Sequence, residues 1–388
     1  MTFRKRGALA AVAAVALTTA VVASSPAAAQ RNPVTGAVQA ELDLLTSVDR
    51  IPGALAQIRD RHGRSVTVTS GTAELGTGRP MVSGTDSYRV ASVAKSVTAV
   101  AVLRLVADHR VELDAPIETY LPGLVQGTGE GVEIDGRDIT VRQLLQHTSG
   151  LSDYTRYLVP FDPLRRVEPM ELVRLSLAHK PDFAPGKGQA YSNTAFIVAG
   201  MLVERLTGKD IRTAMADLVI RPAGLHDTYW PATGDTGIRG RHARNYMLDK
   251  TNPQGPLVDA TAFEPSLLGA GGALVSTPAD LNKFWRELFG GRLLPGRMLA
   301  EMQTAMPPPP GGPNAGFGLG LMRIPLTCGG DAWGHDGDLL GVGTWSARNA
   351  SGREATVYMT AQTGSHASKQ LRRTLDVALC TPGRDGLD

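Results

Sequence analysis

The sequence is short of most features that would assign it to a class at once. Cysteine occurs twice, as Cys328 and Cys380, and neither stands in the Cys/His clusters that a zinc site or a thiol nucleophile needs. A bridge between them is therefore expected, and it agrees with an exported chain, because paired cysteines persist outside the cytoplasm. No metal and no cofactor is expected. Charge of neither sign is in surplus: removing Arg4, Lys5 and Arg6 takes the net charge from +3 to 0, since residues 1–30 hold no Asp or Glu. That excludes an electrostatic case for nucleic acid or an anionic membrane as partner. Repeats and low-complexity tracts are absent, and one loop cluster stands out, Pro307 to Pro310 followed by Gly311, Gly312 and Pro313. There is no G-x-S-x-G elbow, H-E-x-x-H helix or G-x-x-x-x-G-K-[ST] loop, which argues against the esterase elbow, zinc protease and P-loop chemistries.

The one long apolar run lies at the start. Arg4, Lys5 and Arg6 precede a run from Gly7 to Ala23, and Ala27, Ala28 and Ala29 supply small residues. This pattern predicts a signal peptide over residues 1–30, cleaved near Ala29, and a secreted product. Thr18 and Thr19 interrupt the run, which is short for a ~20-residue span, so no membrane span is expected after processing. Neither a following cysteine for a lipid anchor nor a twin arginine is present.

Periodicity in the remaining chain predicts helices over 36–48, 92–106, 141–146, 169–178, 194–206 (closed by Gly208) and 366–379. Strands are predicted at 54–58, 65–69, 332–335, 340–347 and 355–361, with a turn at Asn349-Ala350-Ser351-Gly352. Strands at both ends around a helical middle imply an α/β domain, residues 31–110 and 232–388, whose antiparallel sheet is built from both termini. An all-α domain, residues 111–231, is inserted between them. The cleft between the two parts is the natural place for a site.

Within "YRVASVAKSV", Ser92 and Lys95 are i and i+3 neighbours on an apolar helix. Serine is a weak nucleophile until a base takes its proton. Lysine serves as that base only where burial favours its neutral form, and Val90, Val93 and Val97 supply burial. By itself S-x-x-K is a weak signal and reads first as a capping serine and a solvated lysine. Two further motifs follow in order: Tyr191-Ser192-Asn193 on a loop opening a helix, and His335-Asp336-Gly337 in a late strand. His147-Thr148-Ser149-Gly150 also puts a histidine near a serine, but adjacent residues rarely form a productive pair.

With these motifs and the segments "LDAPIETYLPGL", "ITVRQLLQHTSGL", "YSNTAFIVAGMLVERLTGK", "GFGLGL" and "WGHDG", the chain resembles the β-lactamase-related serine hydrolases. It is most similar to their secreted serine-type D-alanyl-D-alanine carboxypeptidases, whose motifs are S-x-x-K, Y-x-N and H-x-G. The resemblance implies a β-lactamase/transpeptidase-like fold. It makes Ser92 the acylated nucleophile, Lys95 its proton partner, Tyr191 the shuttle to the leaving group, and His335 the group that completes the proton network. Asn193 would hold the substrate amide, and the backbone N–H groups of Ser92 and Asp338, beside Gly337, would form the oxyanion hole. The resemblance also places a Cys328–Cys380 bridge between the segment before H-x-G and the last helix.

The implied activity is D-alanyl-D-alanine carboxypeptidase action on peptidoglycan-type peptides, with β-lactams as covalent inhibitors. The alternatives are an esterase, a D-aminopeptidase or D-amidase acting on small esters and amides, or a β-lactam-binding module without efficient turnover. A class C β-lactamase fits less well, because lysine normally stands where His335 does. One departure bears on substrate. Where the family has hydroxyl residues about the H-x-G glycine and an arginine after G-L-G-L, this chain has Asp336, Asp338 and Met322, with Arg323 one place late. Residues 336 and 338 share a strand face, so the pair is expected to disfavour a substrate ending in a free carboxylate.

Overall fold

The computed structural model describes residues 1–2, 32–249, 251–252, 255–307 and 316–382. All but two residues of the expected signal peptide, and all of the loop cluster but Pro307, lie outside the described residues. The described residues from Asn32 onward form one compact unit.

Helix α1 (Pro33–Ser47) starts three residues before the expected Gly36. The Asn32 side chain accepts the Val34 N–H at 2.9 Å, and Pro33, with its fixed φ, occupies the first turn. The sheet has seven strands, numbered here within it: β1 (Gly53–Arg59), β2 (Ser65–Gly71), β3 (Gly316–Phe317), β4 (Met322–Pro325), β5 (Asp331–Leu339), β6 (Val342–Asn349) and β7 (Glu354–Met359), in the spatial order β2-β1-β7-β6-β5-β4-β3. Every neighbouring pair is antiparallel. Early β1 lies against late β7, with Leu55 opposite Tyr358, so both ends of the chain build the sheet and residues 111–231 add no strand to it. The strand expected over 340–347 starts instead at Val342, after a tight turn at Leu340-Gly341 that follows β5. Gly341 has φ +71°, and a Cβ there would stand 2.6 Å from Tyr246 N.

Both faces of the sheet are covered. Ala54, Ala56 and Ile58 of β1 pack on α1 and on the last helix, α9 (Ser365–Cys380), while Leu55 faces the larger core on the other side. Central strands therefore lose the apolar–polar alternation of half-exposed ones, and β7 is buried throughout. The second core holds α2 (Ala94–Ala107), buried nearly all round, as an interior helix must be to carry so many apolar residues. The short α3 (Val141–Leu145), α4 (Pro169–Leu177), α5 (Asn193–Thr207) and α6 (Ile211–Met215) form the helical middle, with Gly208 capping α5 at φ +69°. Helix α7 (Pro278–Phe289) and the shorter α8 (Gly296–Met302) have no counterpart among the expected elements. Phe284 and Trp285 of α7 join the larger core, and Trp285 Nε1 donates to Ser346 Oγ of β6 at 2.7 Å.

Cys328, in the turn between β4 and β5, is bonded to Cys380 at the end of α9, with their Cα atoms 5.5 Å apart. Asp376 of α9 holds the same turn by accepting the Thr327 N–H at 2.9 Å. The cysteines are 52 positions apart, so on the chain-entropy model the bridge stabilises the fold by up to ~4 kcal/mol. Reduction is expected to lower the denaturant midpoint without unfolding the protein in buffer. Identical midpoints with and without dithiothreitol would show that the bridge contributes nothing.

Candidate functional site

Ser92, Tyr191 and Asn193 line one cleft of about 920 Å³ together with Asp336 and Asp338. Its remaining walls are mostly apolar, Phe161, Phe263, Phe317, Met322 and Trp345 among them. The three motifs, far apart in sequence, thus meet.

The expected helix through Ser92 begins two residues later. Ser92 sits in a 3₁₀ turn, Ala91–Val93, that runs into α2. Ala91, immediately before the serine, is held at φ +48°, which costs a non-glycine residue roughly 1–2 kcal/mol. Tertiary contacts impose this turn. Val90 N–H donates to Leu274 O at 3.1 Å, and β5 presses against the turn at Gly337, where a Cβ would stand 2.4 Å from Val90 O and 3.2 Å from Ala91 Cβ. The glycine of H-x-G is thus needed for close approach of strand and turn.

Lys95, in the first turn of α2, is fully buried. Its Nζ lies 3.0 Å from Ser92 Oγ and donates to Asn193 Oδ1 and to Gly271 O, each at 2.7 Å. Burial pushes the Lys95 ammonium down to about 7, against the opposing pull of the Asp153 and Asp336 charges. A neutral amine has two N–H groups and one lone pair. With Asn193 and Gly271 taking both N–H groups, the lone pair faces the serine hydroxyl.

Asn193 opens α5. Its Nδ2 donates to Asp153 Oδ2 at 2.8 Å, which fixes the amide with Oδ1 toward Lys95. Tyr191 precedes that helix, and Lys95 Nζ lies 4.9 Å from its ring centre. The phenol Oη is buried without a hydrogen-bond partner. Burial pushes its pKa well up and the Asp336 charge adds to this, while the nearby Ser92 hydroxyl offsets part. Burial thus favours the neutral phenol.

His335, on the buried face of β5, does not reach Ser92 or Tyr191 by a hydrogen bond. Its Nδ1 donates to Asp336 O at 2.6 Å, and Nε2 is buried without a partner. Its ring centre is 6.3 Å from that of Tyr191. Asp336 and Asp338 point from the opposite strand face into the cleft. Asp338 bonds to Gln362. Its surface is open to solvent although the cleft walls surround it, so water screens part of the desolvation that carries its carboxyl up to about 6. Met322 also lines the cleft, whereas Arg323 is exposed and donates to Asp331 Oδ2 at 2.8 Å. No arginine lines the cleft among the described residues.

Three participants went unrecognised in the sequence. Asp153 orients Asn193 from forty residues away, and its only local signal is its position as cap of the turn Tyr154–Tyr157. Gly271 contributes a carbonyl, which any residue type carries. His147, set aside as structural, has its ring against Tyr191 with centroids 4.5 Å apart. Among the described residues no His/Cys/Asp/Glu group is arranged to hold a metal, and no helix is long and apolar enough to cross a membrane.

A family model described as Beta-lactamase matches residues 40–380. Esterase EstB of Burkholderia gladioli is 38% identical over 189 residues, 46% of this chain and 47% of that protein. Penicillin-binding protein 4 of Amycolatopsis lactamdurans is 30% identical over 254 residues, 64% of this chain and 62% of that one. The chain thus spans about half to three fifths of the length of these curated relatives. Among solved structures, a D-stereospecific amidohydrolase from Streptomyces sp. superimposes with a TM-score of 0.78 at 36% identity, covering 88% of this chain and 98% of that one.

Proposed function

We propose that this chain, which belongs to the Beta-lactamase family of serine hydrolases, cleaves D-amino-acid-type amides and esters whose leaving side bears no free carboxylate. Ser92 Oγ attacks the carbonyl carbon as Lys95 Nζ takes its proton. The oxyanion rests on the backbone N–H groups of Ser92 and Asp338. As the C–N or C–O bond breaks, the Tyr191 phenol gives its proton to the leaving group and is reprotonated by Lys95. A water then cleaves the acyl-enzyme by the reverse proton path. The observation that carries the substrate reading is the charge in the cleft: Asp336 and Asp338 line it, and Arg323 is turned out to Asp331. A terminal carboxylate placed there meets two like charges and no partner. D-configuration is supported by similarity to the D-stereospecific amidohydrolase. For the D-alanyl-D-alanine carboxypeptidase reading, which the motifs alone favour, no arginine or lysine among the described residues lines the cleft to receive the substrate's terminus.

An acyl-D-Ala-D-Ala acid, its amide and its methyl ester form the test, in wild type and in Asp336→Thr. Amide and ester are expected to exceed the acid in kcat/KM by at least tenfold, about 1.4 kcal/mol, and Asp336→Thr to narrow that gap. A free acid that is the best substrate, with Asp336→Thr making no difference, returns the assignment to carboxypeptidase.

We also propose that the protein is exported, on the strength of the basic start, the apolar run and the paired cysteines. The N-terminus of the protein recovered from culture medium should lie near residue 30, and an intact Met1 there would refute this.

A further inference from the structure

We propose that His147 is a positioning residue that clamps Tyr191 in register with Ser92 and Lys95. It touches three consecutive residues at once. The His147 carbonyl accepts the Ala190 N–H at 3.0 Å. Its ring Nδ1 accepts the Ser192 N–H at 3.1 Å. Between those two bonds its ring lies against Tyr191, with the planes 27° apart. Both peptide flanks of the tyrosine and one face of its ring are thus held by one side chain and its own backbone. The phenol needs such holding, because its buried Oη has only the Ser92 hydroxyl near it and no well-formed hydrogen bond to fix it.

His147 is itself immobilised. It is 1% exposed, and the rings of Phe196 and Phe317 lie 5.2 and 5.1 Å from its centre. Its backbone is held at φ +60°, a left-handed conformation that glycine adopts freely and that histidine, like asparagine and aspartate, tolerates better than most residues. A glycine would suit that backbone and a phenylalanine that packing. Histidine supplies in addition an acceptor at the place of Nδ1. Since Nδ1 accepts a backbone N–H, the ring proton sits on Nε2, and a proton on Nδ1 would break the bond to Ser192. Burial, with the charges of Lys95 and His335 adding to it, holds the imidazole neutral, so the clamp persists while Lys95 titrates.

The inference rests on Tyr191 as the proton carrier, and a double-mutant cycle separates the two ideas. Tyr191→Phe is expected to slow acylation by an activated ester more than a hundredfold, within the usual ~10²–10⁴ for an acid–base group. His147→Phe, which keeps the packing, and His147→Gly, which suits the backbone, should each lower kcat at least tenfold with KM within about threefold. In the Tyr191→Phe background the same substitutions should cost less than twofold. His147→Asn, whose Oδ1 stands where Nδ1 stood and whose backbone tolerates positive φ, should be at least threefold faster than His147→Gly. Thermal midpoints identify which variants fold, and either His147→Phe or His147→Gly suffices for the cycle. An equal loss in both backgrounds, or none in the wild-type background, overturns the clamp and leaves Tyr191 in its role. An unchanged rate for Tyr191→Phe alone overturns the role of Tyr191 and the clamp with it.

Discussion

Ser92→Ala is expected to abolish covalent labelling by a penicillin or a fluorophosphonate and to reduce turnover by a factor on the order of 10⁴ or more, as loss of a nucleophile does elsewhere. The fold should survive. The hydroxyl is hydrogen-bonded to Lys95 and lies near the Tyr191 phenol, and the amine keeps its bonds to Asn193 Oδ1 and Gly271 O. No other serine lines the cleft among the described residues. Neighbouring serines are otherwise engaged: Ser96 Oγ donates to Gly320 O, Ser192 Oγ caps α5 by accepting the Ala195 N–H, and Ser149 Oγ accepts the Leu151 N–H. None of these three hydroxyls is hydrogen-bonded to a basic side chain. Intact-mass spectrometry of the mutant and wild type with the same β-lactam decides the question, and its time course also gives the lifetime of the adduct. Labelling of Ser92→Ala at full stoichiometry would falsify the assignment of the nucleophile.

What the sequence made legible was the identity and order of the polar groups. What it left unread was their local geometry. Ser92 and Lys95 were visible because i, i+3 spacing survives whether the serine lies in the helix or in the 3₁₀ turn before it. The turn was not visible, because the left-handed Ala91 is enforced by β5, more than two hundred residues later. The strand carrying His335 was recognised, but the loss of alternation in a sheet buried on both faces concealed its end at Leu340-Gly341. Register settled the fate of Met322 and Arg323. One residue decides which of them enters the cleft, and sequence alone does not fix register to one residue. Helix α7, by contrast, was legible and unread. Thr277 caps it, Pro278 starts it, and Leu281, Phe284, Trp285 and Leu288 recur at helical spacing.

The acylation rate is expected to rise tenfold per pH unit below about 7 and to level off above it, and Lys95→Met should remove that limb while lowering the rate by about 10³. The sign follows from the state that works. Lys95 is depressed to about 7 mainly by burial, and only its neutral form has a lone pair for the Ser92 proton, so activity grows with the deprotonated fraction as pH rises. The rival arrangement, a Lys95 ammonium beside a Tyr191 phenolate, requires the phenol to ionise easily. Burial and the Asp336 charge push it the other way, so a phenolate base predicts a limb above pH 10 and not near 7. Lys95→Met leaves Asn193 Oδ1 and Gly271 O without a donor, at roughly 1–3 kcal/mol for each buried acceptor. Its thermal midpoint must therefore be measured alongside, and the pH profile of the folded fraction carries the argument. A wild-type rate that falls as pH passes upward through 7, or a Lys95→Met variant that keeps the limb, assigns the base to another group.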